Sequence, residues 1–298
     1  MKKVWFITGS SKGLGKSLLE AVLLHGDYVV ATARNPEILK GLLEEYSSQL
    51  LLVKLDVQVK EQIHSAVKEA VDHFGRIDVL VNNAGFGITG AAEAFTDEQV
   101  RSQLEVNLFA PIEVTRAVLP YMRKQRSGHI LQISSVGGRV GNAGLSIYQA
   151  AKFGLAGFSE SLSKEVLPLG IKVTSIEPGG FRTDWAGASM SFAKDVEGYE
   201  ETVGSIKEYL TSGKFLPMGD PAKAAKVMVD LVDHPSPPMH LVLGSEAAAI
   251  LQSADQNRKK EFEQWRDVSI STDHDEAVNV LHSEEGKQFL AKKGIRLD

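Results

Sequence analysis

The 298-residue sequence predicts one domain of the α/β class: a doubly wound parallel sheet with helices on both faces, three layers in all. Three observations predict it. Apolar runs of strand length alternate with segments of helical period along the chain. The first run passes through a glycine-rich turn straight into a helix. No internal repeat, low-complexity segment or linker interrupts the alternation, so residues 1–298 are expected to form a single domain.

The elements follow in order. Val4-Trp5-Phe6-Ile7 is the first strand, and Thr8-Gly9-Ser10-Ser11-Lys12-Gly13-Leu14-Gly15 leads into a helix with Leu18, Leu19, Val22 and Leu23 on one side. Strand, glycine turn and helix N-terminus together cradle a pyrophosphate, because backbone N–H groups and the positive helix end face the anion. Glycine also serves many α/β proteins merely to turn the chain; the flanking strand and helix carry the functional reading. Tyr28–Ala33 is the second strand, closing at Arg34, with Asn35 and Pro36 as N-cap and first helical residue. In a dinucleotide fold this tip meets the adenosine ribose, where an acid suits the 2′-hydroxyl of NAD and an arginine the 2′-phosphate of NADP. Here the tip is Ala33-Arg34 with no carboxylate, and Lys12 brings a second cation toward the same ribose. NADP(H) is therefore the expected cofactor.

Leu50–Leu55 is the third strand, ending in Asp56-Val57, where the acid either accepts a hydrogen bond from an adenine amine or caps the turn. Helix Lys60–Phe74 precedes the strand Val79–Val81, which runs into Asn82-Asn83-Ala84-Gly85; small and amide residues at a strand tip let a cofactor approach the backbone closely. Thr96 and Gln99 fit a capping box opening the helix that carries Asn107. Asn107 sits in an apolar stretch and is expected to be buried, either as a structural amide or holding a water beside a catalytic group. Gly128–Ile133 is the fifth strand, ending in Ser134-Ser135, and a glycine-rich loop leads to a helix where Ser146 and Gln149 fit another capping box. Ile171–Ile176 is the sixth strand, breaking at Pro178-Gly179, with Thr183 beyond. Residues 185–215 hold Trp185, Met190, Phe192, Tyr199, Tyr209 and Phe215 with weak periodicity, either a lid over an apolar substrate or a helical excursion packed on the core. Asp220-Pro221 opens a helix, Met239–Leu243 is the last strand, Ala247–Trp265 is helical, and the tail 269–298 is polar with a short helix at Glu284–Lys293.

Composition excludes several classes. A content of 43% hydrophobic and 24% charged residues is that of a soluble globular protein, and a net charge of -5 argues against a nucleic-acid partner. The absence of cysteine removes disulfides, thiolate nucleophiles and Cys-based metal sites, and the histidines are scattered, so no metal is expected. The apolar run behind Met1-Lys2-Lys3 is too short for a signal peptide and no run is long enough to span a bilayer; the expected location is cytoplasmic, with no membrane partner.

The chemistry centres on Tyr148 and Lys152. Four residues apart on a helix, they lie on one face one turn apart. A phenol titrates near ~10, and a neighbouring ammonium lowers that value, which suits a proton-transferring tyrosine. An isolated pair of this spacing is more often a surface feature; here its context decides. Thr8-Gly9-xxx-Gly13-x-Gly15, Asn82-Asn83-Ala84-Gly85, Asn107, Ser135, Tyr148-xxx-Lys152 and Pro178-Gly179-xxx-Thr183 together resemble the signatures of the short-chain dehydrogenase/reductases, in the family's order and with its spacing from Ser135 to Tyr148. The resemblance covers residues 3 to 185 and is to the single-domain branch, similar to NADP-preferring ketone reductases and hydroxysteroid or retinol dehydrogenases. Lys12 at a variable turn position and extra length at the C-terminus are departures.

The resemblance implies a Rossmann fold and NADP(H)-dependent interconversion of a ketone or aldehyde with an alcohol, an oxidoreductase acting on CH–OH. It implies that Tyr148 donates or accepts the proton and that Ser135 polarises the carbonyl. Lys152 lowers the Tyr148 pKa and binds ribose hydroxyls, and Asn107 fixes a relay water. Thr183 and the backbone after Pro178 hold the carboxamide. Ser134 is a second hydroxyl at the strand tip, but neighbours on a strand face opposite ways, and the spacing to Tyr148 selects Ser135. The cofactor-contacting set is Gly9, Ser11, Lys12, Gly13, Leu14, Gly15, Arg34, Asp56, Val57, Asn83, Ala84, Gly85, Tyr148, Lys152, Pro178, Gly179 and Thr183. The expected partner is a small carbonyl or alcohol, bulky and apolar; Gly154, Ala156 and Gly157 leave flat helix faces for packing within the fold or across a homodimer or tetramer interface. Two rivals remain. A non-catalytic dinucleotide-binding regulator predicts loss of a catalytic group, whereas all three are present. Dehydration or epimerisation on the same fold is disfavoured by the glycine spacing.

Overall fold

The structure is a computed structural model and describes residues 2–183, 189–213, 216–277, 281 and 283–295. The expected lid residues Trp185 and Phe215 lie outside the described residues. Two compact units are present, Met1–Leu251 and Gln252–Asp298.

In chain order the elements are β1 (Val4–Thr8), α1 (Gly13–His25), β2 (Tyr28–Ala33), α2 (Gly41–Tyr46), β3 (Leu50–Lys54), α3 (Lys60–Phe74), β4 (Val79–Asn82) and β5 (Gly87–Thr89). Then come α4 (Asp97–Leu104), α5 (Ala110–Gln125), β6 (Gly128–Ile133), α6 (Ser146–Val166), β7 (Ile171–Pro178), β8 (Met190–Phe192), α7 (Ser205–Thr211), α8 (Pro221–Val232) and β9 (His240–Leu243). Helix α9 (Ser245–Ile270) starts in the first unit and continues in the second, which also holds α10 (Glu284–Lys292). Among the described residues no helix is long and apolar enough to cross a membrane.

Seven strands form one sheet in the order β3-β2-β1-β4-β6-β7-β9, with every neighbouring pair parallel. This is the doubly wound sheet expected from the alternating pattern. Its strands are apolar at consecutive positions because both faces are covered. In β1, Trp5 and Ile7 join a core with Leu18 and Leu19 of α1 and Met228 of α8, while Val4 and Phe6 join another with Ile63 of α3 and Val118 of α5. The winding reverses between β1 and β4, so connections from these adjacent strands leave toward opposite sides and open a crevice at their C-terminal ends.

Three local features differ from the sequence reading. The capping box at Thr96 and Gln99 forms in both directions, but it opens only α4; Asn107 lies beyond, on a π turn at Glu105–Phe109. The box expected at Ser146 and Gln149 does not form: Leu145 is the N-cap of α6 without a side-chain bond, and the Gln149 amide is used elsewhere. Residues 189–213 are neither wholly loop nor wholly helix. They contribute β8, paired in parallel with β5, then a π turn at Glu200–Gly204 and α7. Tyr199 Oη donates to Glu93 Oε1 at 2.8 Å, a second tie between this segment and the chain after β5.

Candidate active site

The crevice begins with the turn from β1 to α1. Gly9 has φ +66°, a left-handed conformation that favours glycine, and an added Cβ would crowd Ala84 Cα at 2.9 Å. At Gly15 a Cβ would overlap Asn83 Nδ2 and the Gly9 carbonyl. The closeness has a use: Asn83 Nδ2 donates to Thr8 O and Gly9 O, both at 2.9 Å, while Thr8 Oγ1 accepts from Asn83 N at 2.9 Å and Ala84 N at 3.1 Å. The tips of β1 and β4 are thus laced together at the point where the winding reverses. No side chain caps α1, and its first turn carries no acid. Its N-terminal N–H groups and positive dipole end are left to an anion.

On the other side of the crevice, β6 delivers Ser134 and Ser135 at its end, and the start of α6 delivers Tyr148 and Lys152. Ser134 Oγ donates to the Lys152 carbonyl at 3.4 Å and is spent on packing. Ser135 Oγ accepts from Gly137 N at 3.0 Å and hydrogen-bonds Tyr148. Lys152 is buried, with Nζ 5.7 Å from the centre of the Tyr148 ring and donating to Ile133 O at 2.8 Å. Burial pushes the Tyr148 phenol up to about 12, and the Ser135 hydrogen bond pulls it partly back. Burial also pushes the Lys152 ammonium down to about 8. The expected depression of Tyr148 is therefore reversed: loss of water around the phenol outweighs the Ser135 hydrogen bond, and the Lys152 ammonium is turned to the Ile133 carbonyl. Asn107 is wholly buried beside them. Its Oδ1 accepts from Phe86 N at 3.2 Å and its Nδ2 donates to Phe86 O at 2.8 Å, so the π turn presents both ends of the amide to one residue after Gly85.

The family model for short chain dehydrogenase matches residues 3–193. The chain belongs to the short-chain dehydrogenase family. Among curated relatives it is 43% identical over 273 residues to oxidoreductase BOA17 of Botryotinia fuckeliana, covering 91% of this chain and 100% of that protein. It is 37% identical over 210 residues to a 3-ketodihydrosphingosine reductase of Bacteroides thetaiotaomicron, covering 70% of this chain and 72% of that protein. A solved short-chain dehydrogenase from Streptomyces avermitilis superposes with a TM-score of 0.87 at 38% identity, over 92% of this chain and 100% of the other.

A cleft of about 840 Å³ is lined by every expected site residue except Gly15, which packs on Asn83. Gly9, Ser11, Lys12, Gly13 and Leu14 line it with Arg34, Asp56 and Val57. Asn83, Ala84, Gly85, Asn107, Ser135, Tyr148, Lys152, Pro178, Gly179 and Thr183 line it too, Thr183 close to the glycine turn: a Cβ on Gly13 would lie 3.5 Å from Thr183 Cβ. Asp56 caps the turn, its Oδ1 accepting from Gln58 N at 3.0 Å, and it also lines the cleft. The donor set fits a dinucleotide: an uncapped helix N-terminus with glycines too close-packed for a side chain, and two cations, Lys12 and Arg34, in the lining. The volume is within the range of small-molecule sites, roughly 300–1,000 Å³.

Sequence reasoning missed part of the wall. Phe86, Val106, Leu145, Ile206 and Leu210 add apolar lining, and Met190, one of the apolar residues of the expected lid segment, joins them. Ile206 and Leu210, four apart, are the one helical signal in the weakly periodic segment that would have placed them on a common face. Nothing local marks Phe86 or Leu145.

Proposed function

We propose that the cleft binds NADP(H) and that the enzyme interconverts a bulky, apolar ketone or aldehyde with the corresponding alcohol. The observation that carries this reading is the hydrogen bond between Ser135 and Tyr148 in the same cleft as the uncapped glycine turn. When bound, the cofactor supplies or takes up the hydride. The phenol of Tyr148, at about 12, is protonated at neutral pH and serves as the acid that protonates the carbonyl oxygen in reduction. Ser135 donates its hydroxyl proton toward Tyr148, the sense in which its hydrogen bond lowers the phenol's pKa, and would turn that proton to the carbonyl oxygen to stabilise developing charge once a substrate stands between them. Lys152, at about 8, keeps most of its positive charge at neutral pH and favours the phenolate as the proton leaves. Asn107 holds the backbone at Phe86 with both ends of its amide, and in this reading it would fix the water that passes protons to Lys152. Lys12 and Arg34, with no acid at the β2 tip, favour the 2′-phosphate of NADP over the free hydroxyl of NAD.

The apolar wall of Val106, Leu145, Met190, Ile206 and Leu210 supports a bulky apolar substrate, and the Bacteroides relative, a 3-ketodihydrosphingosine reductase by name, supports a ketone. In this reading residues 189–213 cover the substrate end and the single catalytic domain is the unit carrying the sheet. The test is a panel of ketones and aldehydes of increasing apolar size incubated with NADPH. Oxidation of NADPH with a bulky ketone, faster than with acetone, is expected; no oxidation with any member would overturn the proposal.

A further inference from the structure

Glu177 is a buried carboxylate that the proposed chemistry does not use. It is the penultimate residue of β7, directly before Pro178-Gly179, and has no exposed surface. It shares a sheet face with Val173, which packs in the core formed with Leu162 and Val166 of α6. A strand position beneath a helix ordinarily takes an apolar side chain, and an ionised carboxylate survives there only with partners. Glu177 has them on both oxygens. Oε1 accepts from Ser175 Oγ at 3.2 Å and meets His240 Nδ1 of β9 at 2.6 Å. Oε2 accepts from Arg139 Nη1 at 3.4 Å. Glu160 of α6 lies within electrostatic reach of both Arg139 and His240.

Arg139 is not part of the sheet. It follows the turn Val136–Gly138 in the loop between Ser135 and Tyr148. That loop is fastened a second time by Gln149, whose Oε1 accepts from Asn142 N at 2.7 Å and whose Nε2 donates to Val140 O at 3.0 Å. The Arg139 ion pair therefore ties two walls of the cleft: the loop that starts at Ser135 and the β7 tip that ends in Pro178. We propose that Glu177 is a positioning residue, which through Arg139 fixes the Ser135 loop against the Pro178–Gly179 strand tip. This rests on the hydride-transfer reading of the cleft, which both segments line.

The experiment compares Glu177→Gln, Arg139→Met, the double variant and Arg139→Lys. It reads hydrogen–deuterium exchange in residues 136–145, NADPH affinity by fluorescence, and kcat on the best ketone of the panel. Both single variants are expected to speed exchange across 136–145 by about tenfold or more. They should also lower kcat on the order of 10- to 100-fold, the scale of an ångström's misplacement, while NADPH affinity stays within about threefold. The double variant should lose no more than the worse single, because both break one link, and Arg139→Lys should recover part of the loss. Unchanged exchange in a folded Arg139→Met, faster exchange with unchanged kcat, or multiplicative losses in the double variant would each overturn the proposal. Arg139 is partly exposed, so its replacement decides the matter even where Glu177→Gln does not fold. If the unaltered enzyme oxidises no NADPH with any ketone, the cleft reading fails, and exchange at 136–145 still decides whether Glu177 anchors the loop.

Discussion

Replacing Lys152 with methionine should abolish turnover and at the same time stabilise the protein. Methionine keeps the length and apolar stem of the side chain and removes only the buried ammonium. A fall from the ordinary 10.5 to about 8 means that the folded state holds the protonated lysine unfavourably relative to the unfolded chain. At about 1.4 kcal/mol for each tenfold change in acidity, the penalty at neutral pH is about 3 kcal/mol. Against it stands the charge-assisted hydrogen bond from Nζ to the Ile133 carbonyl, whose loss costs about 1.5–3 kcal/mol. The net gain is about 0–1.5 kcal/mol, a rise of up to a few degrees in Tm for a domain of this size. The sign fixes the pH dependence. Because the folded pKa lies below the unfolded one, the wild-type penalty is complete below pH about 8 and is relieved as pH rises toward 10.5. Thermal unfolding of both proteins at pH 7, 8, 9 and 10 should therefore show the methionine variant ahead at pH 7 and its lead shrinking by pH 10. A variant that melts below wild type at pH 7, or whose lead is the same at every pH, would refute the reasoning.

The same buried lysine predicts that ketone reduction declines as pH rises through about 8, where the ammonium loses its charge; a kcat profile flat from pH 6 to 10 would contradict this. Gly15→Ala should lower stability by about 2 kcal/mol and weaken NADPH binding at least tenfold, since the new methyl displaces the Asn83 amide from Thr8 and Gly9; calorimetric melting and a fluorescence titration measure both. Ala33→Asp combined with Arg34→Leu should move the ratio of kcat/KM for NADPH over NADH toward NADH, and an unchanged ratio would show that the 2′-phosphate is held elsewhere.

What was legible in the sequence is what short-range chemistry encodes. The strands of the large sheet appear as apolar runs that stop at small or polar tips, and the tips of β1, β2, β4, β6 and β7 are the places where the cleft forms. The four-residue gap from Tyr148 to Lys152 survives intact because α6 starts at Ser146, just ahead of the pair. What was not legible depends on contacts between distant segments. Three-residue strands such as β5 and β8 carry no periodicity of their own and exist only through each other. The π turn that swings Asn107 toward Phe86 is one extra residue in an otherwise helical stretch, invisible to pattern. Gln149 has the spacing of a cap partner, yet the loop above it competes successfully for its amide. The direction of the Tyr148 shift was misjudged because helical spacing reveals the neighbouring charge and not the water that folding removes. Glu177 before Pro178-Gly179 reads as an ordinary polar strand tip until α6 and Arg139 enclose it.

In the proposed function Tyr148 handles the proton of a hydride transfer in the dinucleotide cleft. Tyr148→Phe tests it most directly, with single-turnover reduction of the best ketone and NADPH binding measured on the same sample. Loss of the phenolic oxygen should lower the rate by at least about 10²-fold, the lower end of what a general acid contributes, while NADPH binds as before. A phenylalanine variant that still reduces the ketone at near the wild-type rate would contradict the account.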